Sequence, residues 1–113
     1  MDLQDFSYVN LQRCNTWHKL SDWSLDQWAT AVTGEWGETC NKIKKLNRLR
    51  GGIQQNAVLS TEAELRAQIG EEIADTFTYL DLLAQRAGLD LQTIVIDKFN
   101  KVSKREGLPQ RID

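Results

Sequence analysis

Apolar residues return every three or four positions along most of this chain, and no segment sustains the two-residue alternation of a strand. Leu3, Phe6, Val9 and Cys14 follow that spacing loosely and predict a first helix over residues 3–15, weakening at Asn15-Thr16. A second, longer helix is predicted over 24–50, with Leu25, Trp28, Val32, Trp36, Ile43 and Leu46 on one stripe. Ser24 and Gln27 have the spacing of a capping box at its start, and Gly51-Gly52 supplies a stop. Residues 51–60, GGIQQNAVLS, read as a loop with the composition of a mobile one. Thr61 with Glu64 forms another capping box, and Leu65, Ile69, Ile73, Phe77, Leu80, Leu83 and Ala87 predict a third helix over 61–87, ending at Gly88. Asp90 can cap a fourth, over 90–106, carrying Leu91, Ile94, Val95, Phe99 and Val102 before Gly107 and Pro109 end it. The expected fold is therefore all-α, a four-helix bundle with antiparallel neighbours, formed as one domain over 1–113.

Composition narrows the function classes. A formal charge of −2 and a pI near 5.4 give no general reason to expect nucleic acid as a partner. No run of about 18 apolar residues is present, and MDLQDFSYVN lacks the basic and apolar regions of a signal peptide, so no membrane association is expected and the cytoplasm is the expected location. Cys14 and Cys40 have no second Cys or His at metal spacing and read as reduced, packed thiols. At 113 residues, self-association would help the chain bury apolar surface.

The chemistry suggested by the sequence lies in two carboxylate pairs, Glu35-x-x-Glu38 and Glu72-x-x-Asp75, each on one of the long predicted helices. At about 100° per residue, Glu35 and Glu72 fall roughly 20° outside the apolar arcs of their helices, and Glu38 and Asp75 about 60° further round. Each pair is a like-charge contact that costs a few tenths of a kcal/mol, roughly, on an isolated helix. Single pairs of this kind are usually solvated acids. Two on matching flanks of helices that pack antiparallel could converge into a pocket of hard oxygen ligands suited to Mg²⁺ or Mn²⁺ with substrate phosphates. A redox di-iron bundle needs Glu-x-x-His on two helices, and the one histidine, His18, lies outside both.

Basic residues cluster at Lys42, Lys44, Lys45, Arg48 and Arg50, and again at Lys98, Lys101, Lys104 and Arg105. Cations near helix C-termini complement the dipole, and those in excess of that role could hold phosphates. Four tryptophans fall in the first third of the chain. Trp28 and Trp36 lie on the apolar stripe and are expected in the core, while Trp17 and Trp23 flank WHKLSDW, where His18 could help to engage a nucleobase.

GEWGETCNKIKKL, GEEIADTFTYLDLLAQRAGLDL and KFNKVSKR together resemble the MazG-like nucleoside triphosphate pyrophosphohydrolases, over roughly residues 23 to 108. The resemblance implies the MazG variety of helical bundle, assembly as a homodimer or homotetramer, and Mg²⁺-dependent cleavage of an NTP or dNTP to the monophosphate and pyrophosphate in nucleotide-pool house-cleaning. It implies Glu35, Glu38, Glu72 and Asp75 as metal ligands, with Glu38 or Glu71 acting on the attacking water. Lys45, Lys98 and Arg105 become the phosphate contacts, and Trp17, His18, Trp28 and Asn41 the nucleoside side. Val102 stands where members often carry asparagine, with Asn100 the nearby substitute. The alternative reading is a nucleotide-binding or regulatory homolog that has lost catalysis.

Overall fold

The structure, a computed structural model, describes residues 1–52 and 61–113. Among them are four α-helices, α1 (Leu3–Trp17), α2 (Leu25–Arg50), α3 (Glu62–Arg86) and α4 (Leu91–Arg105), with a short 3-10 helix at Leu20–Asp22 and no strand. The all-α expectation holds, and the four predicted helices appear within two or three residues of their expected ends. Most of the 51–60 segment predicted as a loop lies outside the described residues. No described helix is long and apolar enough to cross a membrane.

The helix ends follow from local chemistry. Glu64 N–H donates to Thr61 Oγ1 at 3.1 Å and Thr61 N–H to Glu64 Oε1 at 3.4 Å, so both halves of the predicted capping box form. Asp90 Oδ2 accepts from Thr93 N–H at 3.0 Å and starts α4. Gly88 takes φ +75°, and its N–H and that of Leu89 donate to the carbonyls of Gln85 and Ala84, each at 2.9 Å. This double bond with a left-handed residue satisfies carbonyls that the helix end would otherwise strand. Gly107 repeats it after α4, at φ +68°.

One predicted break is absent. α1 runs through Asn15-Thr16 because Thr16 Oγ1 donates to the Gln12 carbonyl at 3.0 Å and Asn15 Oδ1 accepts from Leu20 N–H at 3.1 Å. The first side chain bonds back onto its own helix, and the second ties the helix to the turn that follows.

The described chain forms two compact units. Unit 1 joins residues 1–25 to 81–113 and unit 2 spans 26–80. In unit 2, α2 and α3 run antiparallel. Trp28 lies 6.2 Å from Tyr79 by ring centroids, Thr39 Oγ1 is 3.2 Å from Thr76 Oγ1, and Arg50 pairs with Glu62 at 2.5 Å, so numbers that rise on α2 meet numbers that fall on α3. Trp28, Thr39, Leu46 and Leu65 are buried there. Trp36, expected in the core, is instead 54% exposed, and Cys40, expected to be packed, is exposed as well. The apolar stripe of α2 extends further round the helix than its contacts cover.

In unit 1 the polar residue Asp81 has no exposed surface and is met by neutral donors. Ser7 Oγ donates to its Oδ1, while Asn10 Nδ2 and Gln85 Nε2 donate to Oδ2 at 2.9 Å each. Gln85 also donates to the Ser7 carbonyl at 2.9 Å. A buried carboxyl stripped of these donors would cost several kcal/mol, roughly, so the network fixes how α1 docks on the end of α3. Cys14 is buried, and burial followed by the charge of Asp22 pushes its thiol above the usual range.

Candidate metal centre

Three of the four predicted acidic ligands meet. Glu35 and Glu38 on α2 and Glu72 on α3 each offer one carboxylate oxygen, and these oxygens lie within 4.8 Å of one another. Helical spacing accounts for the first two, since positions three apart share a face, and antiparallel packing brings the third across. Glu35 and Glu72 are half-buried and Glu38 is exposed. Asp75 is exposed and its oxygens fall outside this group, although its charge acts on both Glu35 and Glu72. Glu71 is exposed on α3.

The electrostatics are those of crowded like charges. Burial, then the charges of Glu38, Asp75 and Glu72, holds the Glu35 carboxyl above the ordinary glutamate range. Glu72 is also raised, first by burial, then by a side-chain hydrogen bond with Glu38 that favours its protonated form, and then by the charges of Glu38 and Asp75, while Lys42 pulls it back. Glu72 Oε2 is buried and lacks a hydrogen-bond partner. Carboxylate oxygens crowded together, one of them buried without a partner, make a ligand set suited to a hard divalent cation. The residues present therefore fit Mg²⁺ or Mn²⁺.

None of the protein-family models, curated proteins or solved structures compared with this chain matches it. The geometry of the chain itself is then what bears on function.

The other predicted site residues divide between the units. In unit 2, Lys45 is half-buried and Asn41 exposed on α2, and Trp28 is 1% exposed, a core residue of that unit. In unit 1, Trp17 is 72% exposed with the Arg13 guanidinium 5.5 Å from its ring, and His18 stacks on Trp23 at 4.8 Å. Lys98 is exposed on α4, and Arg105 pairs with Glu106 at 3.0 Å. Asn100 is engaged elsewhere. Its Nδ2 donates to the Ile112 carbonyl at 2.7 Å and its Oδ1 accepts from Ile112 N–H at 2.8 Å, clasping the C-terminal segment to α4.

Sequence reasoning missed two features of this centre. Lys42, which lies one turn beyond Glu38, is the cation whose charge reaches Glu72, and the i, i+4 spacing could have shown it. Thr39 and Thr76 immediately follow the second acid of each pair, in Glu35-Trp36-Gly37-Glu38-Thr39 and Glu72-Ile73-Ala74-Asp75-Thr76, and that repeated placement was the available signal.

Proposed function

We propose that this chain is a divalent-metal-dependent nucleoside triphosphate pyrophosphohydrolase, working as a homodimer or homotetramer in the upkeep of nucleotide pools. The observation that carries the reading is the meeting of one oxygen each from Glu35, Glu38 and Glu72 within 4.8 Å of one another. The resemblance of GEWGET and GEEIADT to the MazG-like acidic motifs supports the same chemistry.

Glu35, Glu38 and Glu72 would hold Mg²⁺ or Mn²⁺, with Asp75 beside them. Such an ion neutralises phosphate charge and polarises the phosphorus-oxygen bond under attack. The chain's own task is to place water in line with the α-phosphorus and accept its proton. Glu38, exposed within the cluster, and Glu71, exposed and adjacent in sequence to Glu72, are the two candidate carboxylates for that step. Water forms a new bond to the α-phosphorus, the bond from that phosphorus to the bridging oxygen breaks, and pyrophosphate leaves. Lys42 and Lys45, half-buried on α2, offer positive charge for the triphosphate. The reading draws its geometry from unit 2 alone.

Incubation with the common NTPs and dNTPs plus Mg²⁺ tests it. Pyrophosphate and the monophosphate are expected to accumulate with the unaltered chain and not with Glu38→Ala. Equal, background release from both would reject catalysis, and calorimetric nucleotide binding without turnover would favour the non-catalytic homolog.

A further inference from the structure

Thr39 is wholly buried in unit 2, where its Oγ1 bonds the Glu35 carbonyl at 3.1 Å and lies 3.2 Å from Thr76 Oγ1. Thr76 Oγ1 in turn bonds the Glu72 carbonyl at 2.8 Å. The two hydroxyls thus link the backbone turn that carries Glu35 to the backbone turn that carries Glu72. Carbonyls only accept, so each bond to a carbonyl requires a threonine proton. Two hydroxyl protons must serve three contacts, and the one between the threonines is made at the expense of a carbonyl bond. Apolar residues of similar volume would fill this space without that competition, so a hydroxyl pair here is poorly explained by stability.

Register explains it better. Because α2 and α3 run antiparallel, one turn back from Thr39 and one turn back from Thr76 lead in opposite directions. The hydroxyl contact therefore sits between the levels of Glu35 and Glu72, and any slip of α3 along α2 changes their axial offset by the same amount. Apolar ridges tolerate small slips, whereas a hydroxyl contact has a narrow distance and angle range.

We propose that Thr39 and Thr76 are positioning residues whose paired hydroxyls set the axial register of α2 against α3 and so the spacing of the carboxylates that bind the metal. The metal part of this statement rests on the function proposed above, and the register part does not.

The test uses the double variant T39V/T76V with T39S/T76S as the conservative control, read by Mn²⁺ calorimetry, thermal melting and nuclear magnetic resonance contacts between α2 and α3. T39V/T76V is expected to melt at or above the unaltered chain's temperature, to bind Mn²⁺ about tenfold more weakly, the scale for losing a group that orients metal ligands, and to show shifted or doubled α2–α3 contacts. T39S/T76S is expected to restore one set of contacts and the original affinity. Unchanged contacts in the double valine variant would overturn the register lock, whatever the metal does. If the unaltered chain binds no Mn²⁺, the metal centre fails while the contacts still decide the lock. Should T39V/T76V fail to fold, the single variants T39V and T76V carry the same measurements.

Discussion

Glu35 and Glu72 share one physical situation, a carboxylate brought part-way out of water among others of its kind. Both are held above the ordinary glutamate range, so the folded state binds their protons more tightly than the unfolded chain does. The stability gained from protonation is fully present below the unfolded value and is lost as pH rises through the raised folded value. The metal-free protein should therefore become more resistant to denaturant on moving from pH 7 down towards the ordinary glutamate range. Saturating Mg²⁺ should flatten or reverse that trend, because the ion binds the ionised form and only in the folded chain. Denaturation midpoints across that interval, with and without Mg²⁺, check it, and identical profiles would show that no ion engages these carboxylates.

Helix ends and helix interiors make opposite demands on glycine. Gly88 closes α3 with φ +75°, a conformation that costs an alanine about 1 kcal/mol or more. Gly37 lies inside α2, where an added Cβ meets nothing within 4 Å, and a helix interior disfavours glycine against alanine by about 1 kcal/mol. Gly88→Ala should accordingly destabilise the chain and Gly37→Ala stabilise it by similar amounts in urea titrations. The same locality made this level of structure legible in the sequence. Thr61 with Glu64, Asp90, and Gly88 each act within four or five residues, so their types and spacing suffice. Asn15-Thr16 was misleading because such side chains can break a helix or bond back onto it, and the choice depended on the turn at Leu20. The acidic flanks were visible from periodicity. Their convergence was not, since it depends on antiparallel register, and Asp81 gave no signal because its partners on α1 lie more than 70 positions away.

For the whole molecule the telling residues are apolar ones left in water. Trp36, Ile43, Ile73 and Leu80 are 54%, 37%, 52% and 40% exposed on the two helices of the acidic centre. Covering side chains of this kind is worth about 25 cal/mol per Å² of apolar surface, a steady drive towards self-association in a chain of this length. Sedimentation equilibrium is expected to give twice or four times the 13.0 kDa chain mass, and Trp36→Glu to shift it towards a single chain. A single-chain mass for the unaltered protein at micromolar concentration would remove the oligomer from the proposed function.

The division into units also bears on how the chain comes into being. Unit 1 is assembled from two stretches far apart in sequence, 1–25 and 81–113, whereas unit 2 is one uninterrupted stretch. During synthesis the α2–α3 hairpin has both its arms before α4 has left the ribosome, whereas α1 must wait for residues 81–113 to supply its partners. The carboxylate cluster can thus be in place while α1 still waits for the residues it packs against.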